Sequence, residues 1–414
     1  MAILNRLTLR LSMTVAIGII APAMTLASVD QEAQTIARLA ADVNSADAQV
    51  RRAALKALAS MGPEAIEPLS LLVADPERGI RSDAIGAIVA IYVEPPLRER
   101  VTSPEGAFGW TRYRTTPWAV PPALLTNLIR GLADEWPAVR RDAAYALGVV
   151  MTPPIGDRVA DELIYSLAEA DGSVRLAAVK SLGRLRANRA GEQLIGRIVD
   201  PDLPVRLAAM HALGEMRESR ALTALQLQLD YYYGATAGRA ALAALARIAH
   251  PSNLELFTRE RSSNSEAHRR YAYEGLARLG GIAGADAVAV EQMLAAERDE
   301  TVAAAMAFAL AAAGRPFADR LAMALADPDT ANQVIDYVVE LATAQPSMFV
   351  GYLKHPDAIV RERVATAMGF TAHNDAEPAL SQLTSDSDPS VRRSAERALI
   401  RMRVSKQAGT SKRF

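Results

Sequence analysis

Residues 171–183 read Asp-Gly-Ser-Val-Arg-Leu-Ala-Ala-Val-Lys-Ser-Leu-Gly, and this stretch decides the fold. The opening Asp can cap a helix by accepting hydrogen bonds from free backbone N–H groups, and its charge suits the positive end of the helix dipole. Apolar residues then recur at helical spacing, so one stripe faces a neighbour and the alanines allow close approach. The final glycine fits a left-handed helix cap. The stretch therefore predicts an amphipathic helix that packs against other helices.

The same pattern returns along most of the chain. Clear copies centre on Arg51, Arg81, Arg140, Arg175, Arg206, Arg361 and Arg392, and weaker ones on Arg239, Arg269, Ala303 and Gln333. The steps between copies are 30, 59, 35, 31, 33, 30, 34, 30, 28 and 31 residues, a period of about 31 with one exception. A fixed period of roughly 20–50 residues is typical of a solenoid or a propeller, and each period here holds two helix-length patterns without strand-like alternation. We expect an all-α stack of about eleven helical hairpins.

Other residues of the pattern have their own roles. Pro76, Pro201, Pro356 and Pro389 stand beside the acidic residues, where proline ends one helix and is tolerated in the first turn of the next. The recurrent arginines are predicted to bridge Asp residues of their own and adjacent repeats rather than to form a basic ligand surface. Left-handed helix caps are predicted at Gly62, Gly148, Gly183, Gly214, Gly280 and Gly369.

The pattern Asp-x-x-Val-Arg-x-x-Ala-x-x-Ala-Leu-Gly resembles the HEAT repeat, in particular the short variant called the PBS-lyase HEAT-like repeat. The resemblance covers about residues 30–404. It implies an armadillo-like α-α superhelix, right-handed, in which the second helices line the concave face. The variant takes its name from enzymes that attach bilin pigments to phycobiliproteins. No catalytic constellation in this chain matches them, so the resemblance implies a fold and not that activity.

Composition favours the same fold and excludes several kinds of chemistry. The chain has 414 residues, more than the roughly 250–300 at which a single core stops growing, and only 5% of them are aromatic. There is no cysteine, which excludes disulfides, thiolate metal sites and cysteine catalysis. The histidines lack metal-ligand spacing, and phosphate-binding glycine loops are absent. We expect no enzymatic activity, no metal and no cofactor. The histidines are His211, His250, His268, His355 and His373.

Residues 1–27 have the composition of a secretory signal peptide. Arg6 and Arg10 supply the positive region, an uncharged apolar run follows from Leu11 to Ala21, and Thr25-Leu26-Ala27 offers small residues for a signal peptidase. We expect cleavage after Ala27 and export to the periplasm or the medium. The alternative is an uncleaved anchor, but residues 11–26 are only 16 residues, short of the roughly 20 that span a bilayer.

Cleavage would leave 44 basic and 47 acidic residues, a net charge of −3. Such a chain has no overall attraction for nucleic acid, so we expect no nucleic-acid partner. Residues 28–404 are predicted to form the solenoid. Residues 405–414, polar and basic without periodicity, are predicted to be a disordered tail.

The long step of 59 residues marks an insertion at residues 94–122, rich in proline and aromatic residues. Trp, Tyr and Arg dominate binding hot spots, so the insertion is either a recognition loop or a degraded repeat whose aromatics fill the groove between neighbours. A second irregularity is Tyr231-Tyr232-Tyr233 at the end of a second helix. Either one tyrosine packs inward and the others are ordinary amphipathic surface, or the tyrosines contribute to a concave binding surface. Candidate partner-binding residues are Phe108, Trp110, Arg112, Tyr113, Arg114, Trp118, Tyr231, Tyr232 and Tyr233.

These observations predict an exported, non-catalytic scaffold that binds a protein or peptide partner through its concave face and the insertion. The alternative is an accessory or maturation factor for an exported enzyme or cofactor protein. Only the association of the variant repeat with pigment attachment favours that alternative.

Overall fold

The computed structural model describes residues 26–93, 115–153, 155–371 and 373–411. Most of the predicted signal segment and residues 94–114 of the insertion therefore lie outside the described residues. The described residues form 22 α-helices and no strand, apart from one isolated antiparallel bridge between Val93 and Thr115. This confirms the all-α fold class. The chain divides into two compact units: unit 1 is Met1–Tyr92 with Trp118–Leu147, and unit 2 is Val93–Pro117 with Gly148–Phe414.

In unit 1, the helix Ile66–Leu72 packs on two others, Arg78–Tyr92 and Pro122–Gly131. A hydrogen bond joins the helices Ile66–Leu72 and Pro122–Gly131, because the side-chain amide of Asn127 donates to the backbone carbonyl of Ser70 at 2.9 Å. Leu58, Ile80 and Leu128 are fully buried between the helices. The helices are α1 (Leu26–Asp42), α2 (Ala48–Leu58), α3 (Ile66–Leu72), α4 (Arg78–Tyr92), α5 (Pro122–Gly131) and α6 (Pro137–Val150), the last of which belongs to this unit up to Leu147.

Unit 2 alternates two kinds of helix. The helices at the Val-Arg positions of the repeat, which we call the Val-Arg helices, are α8 (Gly172–Arg184), α10 (Leu203–Glu215), α12 (Thr236–Ile248), α14 (Glu266–Arg278), α16 (Glu300–Ala312), α18 (Ala331–Ala344), α20 (Ala358–Met368) and α22 (Pro389–Ser411). The second helices are α7 (Asp157–Tyr165), α9 (Gly191–Gly196), α11 (Leu222–Tyr231), α13 (Leu254–Glu260), α15 (Gly284–Ala296), α17 (Ala318–Ala324), α19 (Ser347–Val350) and α21 (Glu377–Leu383). Successive Val-Arg helices pack on one another, and α9, α11 and α13 each pack on the Val-Arg helix that follows. The fold is a helical solenoid of stacked hairpins.

The helix starts follow the chemistry of the pattern. Asp47, Asp171 and Asp357 each accept a hydrogen bond from the backbone N–H two residues further on, at 2.8 Å. Each therefore supplies the cap that the sequence predicts, satisfying an N–H that the helix itself leaves unpaired. Val174 and Val205 are buried, as expected for the stripe that faces the neighbouring repeat.

The prediction of left-handed glycine caps is wrong at five of the six positions. Among the six, only Gly280 has a positive φ, of +113°. Gly183 lies inside α8, where an added Cβ would stand 2.8 Å from Cα of Ala212 in the next repeat. Glycine is needed there because two helix backbones touch, and the left-handed residues after α8 and α10 are Arg186 and Arg217. The five positions without a left-handed conformation are Gly62, Gly148, Gly183, Gly214 and Gly369.

The C-terminal ends of α12 and α14 both contact α18. Arg247 of α12 pairs with Asp336 of α18 at 2.8 Å, and Arg278 of α14 pairs with Glu340 of α18 at 2.9 Å. These contacts pass over one or two intervening Val-Arg helices, which is possible only on the inner side of a bend. The resemblance implies that second helices line the inner side, but in this part of unit 2 the Val-Arg helices do.

The composition of α16, which lies between α14 and α18 in the chain, explains how these helices come close enough for the ion pair between Arg278 and Glu340. α16 reads Glu-Thr-Val-Ala-Ala-Ala-Met-Ala-Phe-Ala-Leu-Ala-Ala, and residues 302–311 are all buried. Alanine side chains let its neighbours approach closely from both sides. Its one aromatic ring, Phe308, stacks on Tyr337 of α18 with ring centroids 4.3 Å apart.

Part of the segment predicted as a tail lies in the last helix. α22 continues to Ser411, so residues 405–411 are helical. No helix breaker stands between Val391 and Gln407, and Lys406 pairs with Glu377 of α21 at 2.7 Å. An ion pair to the preceding helix and an unbroken run of helix formers extend the helix past the last apolar contact.

Candidate functional site

The regular Val-Arg arginines are held between two repeats. Nη1 of Arg175 donates to the backbone carbonyls of Glu169 and Ala170 at 2.9 Å, while Nε and Nη2 donate to Asp200 of the next repeat at 3.0 and 2.8 Å. The side chains of Arg175 and Asp200 are 7% and 0% exposed. This confirms the bridging role predicted for these arginines and leaves little of them for a ligand. The same bidentate pair joins Arg51 to Asp75 and Arg361 to Asp386.

The three consecutive tyrosines form an exposed surface at the end of α11. Tyr231 is 79% exposed, and Leu227, one turn earlier on the same helix face, is 63% exposed. The rings of Tyr231 and Tyr232 meet edge to face with centroids 4.6 Å apart. Tyr233 follows in the turn and is also exposed. We call Leu227, Tyr231, Tyr232 and Tyr233 the tyrosine patch.

Tyr233 is fixed by a buried polar pair beneath it. Its hydroxyl donates to Oε2 of Glu260 at 2.9 Å, and Nδ1 of His268 lies 2.8 Å from the same oxygen. Nε of Arg259 donates to the other oxygen at 3.1 Å. Glu260 and His268 are buried, and the rings of Tyr233 and His268 meet edge to face at 4.7 Å. One end of the patch is thereby held in a single position.

The charge of Glu260 maintains this arrangement. Burial raises the pKa of Glu260, but hydrogen bonds from His268, Tyr233 and Arg259 lower it by more than burial raises it. The pKa therefore lies below its ordinary value. The group is therefore a carboxylate at neutral pH. Hydrogen bonds to a charged acceptor are stronger than those to a neutral one, which favours a fixed Tyr233.

Only part of the predicted insertion can be placed. Phe108, Trp110, Arg112, Tyr113 and Arg114 lie outside the described residues. Trp118 is half-buried in unit 1, ahead of α5. Next to it, the carbonyl of Ala119 accepts a hydrogen bond from the Tyr92 hydroxyl at 3.1 Å.

The end of the insertion that belongs to unit 2 contacts two helices distant in sequence. The Thr115 hydroxyl accepts a hydrogen bond from Arg184 at the end of α8 at 3.2 Å. The Thr115 carbonyl accepts another from Arg401 of α22. Thr116, the next residue, is buried. Thr115 thus joins the first and last Val-Arg helices that lie wholly within unit 2.

Within the described ranges, no group of three or more His, Cys, Asp or Glu side chains is placed to hold a metal ion. Among the helices that the structure describes, none combines the length and apolar character needed to cross a membrane.

The structure adds residues that sequence reasoning missed. Leu227, Glu260 and His268 support or extend the tyrosine patch, and His268 was considered only as a metal ligand. Leu227 could have been found, because it stands four residues before Tyr231 on an amphipathic helix. The step of 33 residues between Arg206 and Arg239, longer than the period of about 31, also marks this place. The pairing of Glu260 with His268 has no such signal.

Comparisons with known proteins agree with the repeat. The family model for HEAT repeats matches residues 160–231 and 346–410, and the one for the PBS lyase HEAT-like repeat matches residues 50–75. No curated protein matches the chain in a sequence comparison.

Two solved structures are similar in fold. An engineered protein from the Northeast Structural Genomics Consortium has 16% identity and a TM-score of 0.40, over 89% of this chain and 99% of that one. The complex of CpcE and CpcF of phycocyanin lyase from Nostoc sp. PCC7120 has 17% identity and a TM-score of 0.34, over 67% of this chain and 97% of that one. At these TM-scores neither similarity bears on what the chain binds.

The matched segments contain the features described above: Asp caps, buried Val-Arg valines and arginines that bridge one hairpin to the next. The all-α stack and the family matches lead to one conclusion. Residues 160–231 and 346–410 are HEAT repeats, and residues 50–75 match the PBS lyase HEAT-like repeat.

Proposed function

We propose that this chain is an exported, non-catalytic scaffold that holds a protein or peptide partner, and that the tyrosine patch is a main contact surface. The observation that carries the proposal is the patch itself. Tyr231 and Leu227 expose most of their surface side by side, next to a tyrosine that is fixed from below. Tyr165 is equally exposed, at 78%, but no other exposed large apolar residue stands within four positions of it.

The physical properties of the patch suit binding. A tyrosine ring buries a large area on contact yet has only two side-chain torsions to immobilise, so little conformational entropy is lost. Tyr233 is already held by Glu260, which lowers that loss further. Such aromatic anchors commonly contribute 2 kcal/mol or more, roughly a thirtyfold change in affinity.

Crosslinking in the native host, followed by pull-down, tests this surface. We expect a specific partner to be recovered with the wild-type chain and lost when Tyr231→Ala is combined with Leu227→Ser. The matched control is Tyr165→Ala, since Tyr165 of α7 is 78% exposed but stands apart from the patch in sequence. If the patch variant retains the partner as well as the control does, the patch is not the contact surface.

Export has a separate test. Mass spectrometry of the N-terminus of the chain isolated from the periplasm or the medium should show a mature protein that begins at Ser28. Recovery of the uncleaved chain in the membrane fraction would favour the anchor instead. Substituting Ala27→Arg, which removes the small residue before the expected cut, should block processing.

A further inference from the structure

A pocket of about 380 Å³ opens where α14, α15 and α16 meet, and no residue of the tyrosine patch lines it. This volume is within the range of small-ligand sites, roughly 300–1,000 Å³. Two methionines form apolar parts of its lining, and charged groups stand beside them. The side chains that matter are Arg269, Tyr273, Met293, Glu297, Arg298 and Met306.

The arginine bridge is loosened at this pocket. Nη2 of Arg269 lies 3.3 and 3.5 Å from the two carboxylate oxygens of Glu297, and its Nε donates no hydrogen bond in the described part of the chain. In three regular repeats, Nε of the equivalent arginine donates to the acid of the next repeat: Arg51 to Asp75, Arg175 to Asp200 and Arg361 to Asp386. Glu297 stands 28 residues after Arg269, whereas Asp200 stands 25 after Arg175. The longer connection leaves a guanidinium N–H without a partner.

A second donor without a partner lies in the same lining. Tyr273 is 1% exposed, and its hydroxyl has no hydrogen-bond partner among the described residues. The equivalent positions in other repeats, four residues after the arginine, hold Val179 and Met210. A buried hydroxyl without a partner costs about 1–3 kcal/mol, so its presence at an apolar position calls for a ligand. Burial raises the pKa of Tyr273, which keeps the phenol protonated and able to donate.

The charged side chains that line the pocket favour a ligand with a negative charge. Arg298 is exposed, and its side chain forms no ion pair among the described residues. Arg269 and Arg298 together against Glu297 leave one positive charge, which suits a single negative charge. Met293 and Met306 offer flexible apolar contacts that adapt to a hydrocarbon chain.

We propose that this pocket binds a monocarboxylate that carries an apolar chain, either a free acid or the C-terminal carboxylate of a peptide. Arg298, Nε of Arg269 and the Tyr273 hydroxyl hold the carboxylate, and the methionines contact the chain. The proposal does not depend on the tyrosine patch, on export or on a protein partner.

Calorimetric titration of the full chain tests the site with four probes. Hexanoate and acetyl-Ala-Ala-Leu with a free C-terminus represent the two sources, and hexanamide and the C-terminal amide of the same peptide are their neutral counterparts. We expect saturable binding of at least one acid and at least tenfold weaker binding of its amide, because a charged acceptor gains most from the guanidinium donors.

Two variants and one control locate the binding. Tyr273→Phe should weaken the bound acid about tenfold without lowering the unfolding midpoint, since it removes a donor that has no partner in the folded chain. Arg298→Gln should weaken it about threefold. Arg158→Gln, which removes an exposed arginine outside the pocket, should bind as the wild type does.

Each outcome decides something. Binding of hexanoate alone identifies a free acid, and binding of the peptide acid alone identifies a C-terminus. Absence of saturable binding by both acids, equal binding of acids and amides, or unchanged affinity in Tyr273→Phe and Arg298→Gln would overturn the proposal. None of these results affects the test of the tyrosine patch, which measures a partner through other residues.

Discussion

The contact of Arg175 with Asp200 and the contact of Arg269 with Glu297 involve the equivalent arginine of two different repeats, yet their geometry differs. The first is a closed, buried pair with two short hydrogen bonds. The second is longer, half-buried and made through one nitrogen only. The contact of Arg175 leaves no space for a ligand, whereas that of Arg269 borders a pocket.

The difference follows from the second helix between arginine and acid. In the regular step, α9 is flanked by 3-10 turns at Asn188–Ala190 and Arg197–Val199, whereas the long step has one continuous helix, α15, of 13 residues. Glu297 follows Arg269 by 28 residues and Asp200 follows Arg175 by 25. At the eighth position after the arginine, the regular step has Gly183 and the long step has Ala277. A spacing of 25 residues between arginine and acid therefore gives a buried ion pair between neighbouring repeats. A spacing of 28 residues leaves space for a pocket beside the pair.

The largest loss of unfolding free energy should come from removing the buried ion pair between Arg175 and Asp200. Arg175→Met would leave Asp200 buried and would remove the donor to two backbone carbonyls, at a cost of about 3 kcal/mol in the free energy of unfolding. Arg269→Met should cost about 1 kcal/mol or less, because its pair is longer and better solvated. Urea unfolding followed by circular dichroism measures both. Equal losses would show that the two steps are energetically alike.

A smaller loss is expected where the helices of the closed step touch. Gly183→Ala would place a Cβ 2.5 Å from Cβ of Ala212, and we expect a loss of about 2 kcal/mol from the forced separation. Gly196→Ala is the control in the same repeat, since nothing lies within 4 Å of the added methyl group. It should stabilise α9 by up to about 1 kcal/mol. Thermal melts of the two variants should therefore shift in opposite directions.

A structural feature of this chain could be predicted from the sequence where it depends on residues close together in the chain, and not where it depends on how repeats pack. The Asp caps and the bridging arginines follow from the chemistry of single residues at a fixed period, and both are found as predicted. The glycines were misread because a helix cap and a close backbone contact both favour glycine. Only the position of Ala212 in the next repeat shows which of the two applies to Gly183.

The candidate site was predicted only in part for the same reason. The three tyrosines stand out in the sequence, but their support by Glu260 and His268 depends on how two later helices pack. The pocket at Tyr273 was not predicted at all. Its signal is the late arrival of Glu297, which the steps between arginines conceal because they do not record where the acid lies.

Two buried tyrosines, Tyr337 and Tyr273, should differ in what their hydroxyl groups contribute to the free energy of unfolding, by about 1 kcal/mol or more. The Tyr337 hydroxyl donates to Glu274 at 2.6 Å and accepts from Gln333 at 2.6 Å, so Tyr337→Phe should lose about 1–2 kcal/mol of unfolding free energy. Tyr273→Phe removes a hydroxyl without a partner and should leave stability unchanged or raise it by about 1 kcal/mol. Urea midpoints of the two variants measured in parallel decide this. A clear loss in Tyr273→Phe would mean that a bound water or ligand already satisfies the hydroxyl.

The smallest effect expected is the pH dependence of the stability that the ion pair between Arg361 and Asp386 contributes. Hydrogen bonds from Arg361 lower the pKa of Asp386, which burial alone would raise. Because the folded pKa lies below the unfolded value of about 3.9, the pair stabilises the fold fully above that pH, and the contribution is lost as the pH falls through the folded pKa. The difference in urea midpoint between the wild type and Asp386→Asn should thus be constant from pH 7 to about pH 5 and should shrink below about pH 4. A difference that stays the same at pH 3 would show that the carboxylate charge does not stabilise this step, and that the closed geometry depends on packing alone.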